Sequence, residues 1–125
     1  MNYTPAIGDF LVRPKIRGFV SHVGVLLSHN TVLQNTPEKG EHTATVPEFA
    51  AGALVKVLPT GANPSHVLGR ARKALANPKP YHLFCRNCEH TATEVVRGVA
   101  KSPQLLIFGV IAFIVVMVLI CWPRR

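Results

Sequence analysis

Hydrophobic residues along the chain keep three different rhythms. In the first, short apolar and β-branched runs are broken by polar stretches: Gly8 to Val12 and Phe19 to Leu27 read as strands, separated by the basic stretch RPKIRG. The run FVSHVGVLL is apolar at most consecutive positions, which predicts a central strand buried on both faces, with His22 as its only ionisable group. After SHN, the segment TVLQN reads as the returning strand of a hairpin. Residues 35 to 47, NTPEKGEHTATVP, carry turn chemistry throughout and predict a polar connection, and ALVKVLP at 53 to 59 predicts a further strand.

The second rhythm is helical. In NPSHVLGRARKAL, Val67, Leu68, Ala71 and Leu75 recur at helical spacing behind Asn63 and Pro64, a cap and first-turn pair, leaving Arg70, Arg72 and Lys73 on the solvated face. In NCEHTATEVVRGVA, Asn87 is a favoured cap and Glu89 falls in the first turn, so the helix is expected to start at Cys88. Few strands and few helices in this order predict an α+β domain, a small antiparallel sheet packed against helices.

The third rhythm is unbroken. From Leu105 to Trp122 the chain reads LLIFGVIAFIVVMVLICW, 18 residues without a charge. Such a run spans roughly 27 Å as a helix, close to the hydrocarbon thickness of a bilayer. It predicts a single-pass transmembrane anchor, dividing the chain into a domain at 1–103 and an anchor at 104–125. Arg97 and Lys101 flank the run on one side, Arg124 and Arg125 on the other, so positive charge does not choose the orientation. The opening MNYTPAIGDF has neither the basic start nor the apolar core of a signal peptide, which gives the expectation of a tail anchor with the domain in the cytoplasm.

Charge adds a partner. Residues 1 to 103 hold 12 of the 14 basic residues and all six acidic ones, a surplus of +6 that favours an anionic phospholipid surface. Nucleic acid fits poorly, because the basic residues are scattered and only Phe and Tyr are on hand in the domain for base stacking. Three cysteines, with Cys121 inside the apolar run, do not make a disulfide framework.

The chemistry concentrates in FCRNCEHTATEVV, residues 84 to 96. Zinc would have to draw on His82, Cys85, Cys88 and His90, all within nine residues and with no second ligand pair to close a loop. A redox Cys-x-x-Cys pair has the right spacing, but its helix would begin at Cys85 rather than Cys88. A nucleophile fits the position better: at a helix start, free N–H groups and the helix dipole favour a thiolate and can hold an oxyanion. That reading requires a base, and His22 is the natural one, with Gly24 on the same strand face leaving room for a ring or a helix terminus. A three-residue SHN loop pairs Gly24 with Gln34 and sets Gln34 diagonally beside His22, whereas a two-residue loop brings Asn35 there. Gln34 is the expected orienting amide and Asn35 the alternative. Cys85 is expected to be a small packing residue, and His90 to lie on the helix surface or in a structural hydrogen bond.

GDFLVR near the start, HVGVLL from His22, VPEFAAG, VLGRARKAL and above all YHLFCRNCEHTATEVVRGVAKSPQ resemble the lecithin:retinol acyltransferase-like family, in order over nearly all of residues 7 to 104. That family is a permuted branch of the NlpC-type papain-like fold. The resemblance implies acyl transfer without a cofactor: Cys88 as nucleophile, His22 as base, Asn87 and the Cys88 N–H supporting the helix start and the oxyanion. The acyl donor would be a glycerophospholipid and the acceptor an unidentified group or water. A second histidine of the family falls at Gln34, an aromatic residue at Val23 and a common tyrosine at Leu26. The alternatives are a catalytically silent membrane-tethered binding module, fed by Gln34, and a thiol peptidase or amidase of the same fold.

Overall fold

A computed structural model describes residues 3–15 and 18–122. Ile16 and Arg17 of the basic stretch, and the Arg124–Arg125 pair beyond the apolar run, lie outside the described residues. Five strands, β1 (Phe10–Lys15), β2 (Val20–Ser28), β3 (Thr31–Thr36), β4 (Gly40–Thr45) and β5 (Lys56–Leu58), form one antiparallel sheet in the order β4-β3-β2-β1-β5. Among the described residues four helices complete the fold: α1 (Val46–Ala50), α2 (Pro64–Ala76), α3 (Cys88–Arg97) and α4 (Pro103–Cys121). The α+β class and the central position of the FVSHVGVLL strand are as the hydrophobic pattern predicts.

Burial on both faces of β2 makes two apolar clusters. On one side Val25 and Leu33 meet Val67 and Ala71 of α2 and Ala92, Val95 and Val96 of α3; on the other, Leu11, Leu26 and Val32 meet Phe49 of α1. Both amphipathic helices start where their caps predict. The Asn63 side chain accepts from the N–H groups of Ser65 and His66, and the Asn87 side chain from those of Glu89 and His90.

Four elements differ from the sequence reading. The connection at 35–47 contains β4, whose inner Gly40 and Glu41 are buried while Thr43 and Thr45 are exposed. A sheet-edge strand with so few apolar residues gives no periodicity to read. Directly after it, Thr45 caps α1 through a capping box with Glu48, a helix of five residues that is too short to show a repeat. β1 runs on through Pro14, which the sheet tolerates because β5 pairs only as far as Val12 and leaves Pro14 at an edge. The last predicted strand shrinks from 53–59 to Lys56–Leu58.

The hairpin resolves the choice between loop lengths by using both. Ser28 pairs with Thr31, a two-residue loop, and then the register shifts between Leu26 and Ser28, so that Leu26 faces Val32 and Val25 faces Leu33. That bulge restores the register of a three-residue loop beyond it.

Gly24 leaves room for a ring, and the ring is that of Phe49. A Cβ at position 24 would stand 2.5 Å from Val32 Cγ1 and 2.8 Å from Phe49 Cε2. Gly24→Ala is therefore expected to destabilise the domain by about 1–3 kcal/mol through overpacking, read as a lower urea midpoint at unchanged slope. An unchanged midpoint would show that Phe49 can withdraw without cost.

Candidate functional site

His22 occupies the second described residue of β2 after its start at Val20, on the face that carries Phe49. Its side chain is buried, and the imidazole stacks on the Phe49 ring at 5.2 Å between centroids. Arg13 on β1, the strand partner of His22, fixes that ring by donating from Nε to the Phe49 carbonyl at 2.6 Å. Across β3, Gln34 Oε1 lies 2.8 Å from His22 Nε2. Of the two amides weighed from sequence, the structure thus brings Gln34 to His22. Asn35 points the other way and donates to the Arg86 carbonyl and Thr91 Oγ1, both at 3.0 Å.

The hydrogen-bond chain does not stop at Gln34. Its Nε2 lies 3.1 Å from His42 Nε2, and His42 Nδ1 lies 2.7 Å from the Gly40 carbonyl. A carbonyl only accepts, so His42 carries its proton on Nδ1 and accepts at Nε2 from the Gln34 amide. Gln34 Oε1 must then accept from His22 Nε2–H. The remaining nitrogen, His22 Nδ1, bears the lone pair, and among the described residues it is buried without a hydrogen-bond partner. His42 was not singled out from sequence, because it lies in the stretch read as a turn-rich connection. A histidine two residues from a turn glycine was its only trace.

Burial strips both titrating groups of charge. Desolvation, offset in part by the Gln34 hydrogen bond and reinforced by Arg13 and Lys15, lowers His22 to about 4. Cys88, half-buried at the first position of α3, is pushed up, first by desolvation and also by the adjoining Glu89 carboxylate. The Val23 and Glu89 N–H groups and Lys15 pull the other way without prevailing. The helix start was expected to favour a thiolate; desolvation of the sulfur overrides it.

The paired register of β2 with β3 ends at Val25 and Leu33, and two residues nearer the start of β2 the Val23 backbone lies close to the Cys88 thiol. Among the described residues no hydrogen bond joins His22 to the Cys88 sulfur: the imidazole stacks on Phe49 on one side of β2, and α3 packs on the other. As the first residue of the helix, Cys88 has a backbone N–H with no intrahelical acceptor.

Asn87 serves the helix start, as expected, but its amide is fully engaged. Oδ1 accepts from Glu89 and His90 N–H, while Nδ2 donates to the Leu83 carbonyl at 3.0 Å and to Ser102 Oγ at 3.2 Å. Of the two groups expected to support an oxyanion, the Asn87 amide is thus engaged, which leaves the Cys88 N–H as the candidate. His90 closes the capping box by accepting the Asn87 N–H at Nδ1, the structural hydrogen bond that the sequence allowed.

Cys85 is exposed, in a turn closed by His82–Arg86 backbone pairing, and so is not the packing residue expected. His82 Nδ1 accepts the N–H groups of Phe84 and Cys85. Among the described residues no three His, Cys, Asp or Glu side chains are grouped to hold a metal ion.

Two clefts flank this centre. One of about 330 Å³ opens beside Gln34 and His42, rimmed by Arg13, Lys39 and Thr43. A larger one of about 610 Å³ lies between α2 and α3 and includes Arg70, Arg86 and Glu94, but neither His22 nor Cys88.

The last helix, α4, is long and apolar enough to cross a membrane, and none of its residues is buried against the domain. Its start is nonetheless held. Ser102 Oγ and the Gln104 N–H both donate to Glu89 Oε2, and the Gln104 amide donates to the Ser21 carbonyl and accepts the Ser21 N–H at 3.1 and 3.0 Å. Ser21 precedes His22 and Glu89 follows Cys88, so each residue of the pair is one position from a group that grips the apolar helix. No known family model matches the chain, and no curated protein matches it.

Proposed function

We propose that this protein is a membrane-anchored thiol acyltransferase or phospholipase A-type hydrolase, with the lecithin:retinol acyltransferase-like, permuted papain-like architecture that its sequence resembles. The observation that carries the reading is the buried, unpartnered lone pair on His22 Nδ1, on the strand against which the helix beginning at Cys88 packs. A core histidine kept only for packing has no need of a three-member chain, His42 to Gln34 to His22, that sets its tautomer.

In this reaction Cys88 Sγ attacks the carbonyl carbon of a glycerophospholipid acyl ester while its proton passes to His22 Nδ1. The Cys88 N–H, at the positive end of α3, stabilises the tetrahedral oxyanion. Collapse of that intermediate breaks the C–O bond, and the imidazolium returns its proton to the departing lysophospholipid oxygen. A thioester remains on Cys88. Water or an acceptor hydroxyl or amine, deprotonated by His22, then releases the acyl group and regenerates the thiol. Because thiol and imidazole both start neutral, proton transfer accompanies attack instead of preceding it as an ion pair. Gln34 orients the ring without adding negative charge to the imidazolium.

Detergent-solubilised protein incubated with mixed phospholipid vesicles is expected to gain a hydroxylamine-sensitive mass equal to one acyl chain, mapping to the Cys88 peptide and absent from Cys88→Ala but present in Cys85→Ala. An adduct on Cys85 instead would overturn the assignment. No adduct, and no lysophospholipid or fatty acid released, would leave amide substrates or a silent binding module in its place.

A further inference from the structure

Four of the large apolar side chains exposed on the domain, Phe19, Leu54, Leu83 and Phe84, lie toward one end of it. Phe19 is 83% exposed and lies two residues before Ser21, whose backbone is clamped by Gln104. Leu83 and Phe84, 54% and 68% exposed, belong to the turn whose Leu83 carbonyl shares the Asn87 amide with Ser102, the cap of α4. Leu54, also exposed, precedes β5 at the end where Lys56 meets Val12. The basic residues of that end, Lys15 at the end of β1 and Lys101 before the cap, are placed as headgroup-level cations would be. Scattered single apolar residues need no explanation, but aromatic residues clustered around the root of an unburied apolar helix do.

We propose that Phe19, Leu83 and Phe84 form a rim around the root of α4 that dips into the acyl-chain boundary of a phospholipid bilayer, so that Cys88, at the start of α3, is held next to the membrane surface. This rests on reading α4 as a membrane anchor. The rim adds a second attachment that fixes the tilt of the domain, because one helix alone leaves it free to swing. With Ser21 at the bilayer, the acyl ester reaches Cys88 by a short upward excursion and its chains stay in lipid. The opposite end of the sheet stands clear: the hairpin tip at His29 is eight residues along β2 from Ser21, about 26 Å at some 3.3 Å per residue.

The chain has a single tryptophan, Trp122, which gives an internal control. Full-length protein is reconstituted in phosphatidylcholine vesicles with and without lipid brominated near the top of its acyl chains. Wild-type Trp122 should be quenched, reporting that α4 is inserted. In the Trp122→Phe background, Phe84→Trp and Phe19→Trp are expected to be quenched about twofold or more, and His29→Trp not at all. Quenching at Trp122 with neither Phe84→Trp nor Phe19→Trp exceeding His29→Trp would overturn the rim and leave the anchor standing. Trp122 unquenched, with the protein separating from vesicles on flotation, would overturn the anchor and the rim together. The acyl-adduct measurement on Cys88 is scored separately in detergent, so the chemistry stands or falls on its own.

Discussion

His22→Ala is expected to slow acylation of Cys88 by about a hundred- to ten-thousandfold, the usual contribution of a positioned general base. Two features make the effect large. The thiol is pushed up by burial, so little thiolate exists at neutral pH without a base to take its proton. His22, buried and with its lone pair at Nδ1, is the base that the proposed reaction assigns. Burial lowers its pKa to about 4, so the wild-type acylation rate should hold level from neutral pH down to that value and fall only below it. An acid limb near the ordinary imidazole value of 6.5 would contradict a desolvated base. Partial recovery of the His22→Ala rate by added imidazole, which the vacated space can admit, separates loss of the base from loss of the fold.

The same residue leaves a mark on stability, and its sign is fixed. A histidine that is harder to protonate folded than unfolded favours the native state most above the unfolded value of 6.5. That contribution is lost as pH falls from 6.5 toward 4, where the unfolded chain takes up a proton that the native one refuses. The shift corresponds to about 3 kcal/mol at full burial. Urea midpoints of wild type should therefore drop steeply across this interval and those of His22→Ala much less.

Where the sequence spoke clearly, local chemistry was enough. Asn63–Pro64 and Asn87 mark helix starts because capping acts within three residues, and the period-two logic of a hairpin placed Gln34 beside His22 even though a bulge near the turn took one residue out of register. What stayed hidden depended on residues far apart in the chain. β4 exists because β3 offers it an edge, and only then does His42 come opposite Gln34. The direction of the Cys88 shift depends on how deeply packing sinks the sulfur, which no motif records. Cys85, three residues before Cys88, lies in the turn ahead of α3 and is exposed, which its place in the motif does not record.

Glu41 was equally silent in sequence, yet Arg86→Met is expected to destabilise the domain by about 3–5 kcal/mol, the usual effect of leaving a buried charge without its partner. The Glu41 side chain is fully buried on β4, and Arg86 donates to its Oε1 from Nε at 2.8 Å and from Nη2. Thr91 Oγ1 at 2.9 Å and the Lys79 N–H at 3.0 Å complete the carboxylate's shell, while Arg86 also pairs with Glu94. With methionine at 86 the carboxylate keeps two neutral donors and loses its only cation among these partners. Neutralising it should restore most of the loss: Glu41→Gln with Arg86→Met is expected to unfold at a higher urea concentration than Arg86→Met alone. Two additive losses would mean that the pair is not coupled. The effect should reach the thiol as well. The Arg86 guanidinium ties the turn that precedes Cys88 by two residues to Glu41 on β4, while its backbone carbonyl accepts from the His82 N–H and from Asn35 Nδ2. Acylation in Arg86→Met should therefore fall even at urea-free temperatures where the domain remains folded, while the double variant recovers part of the rate along with its stability.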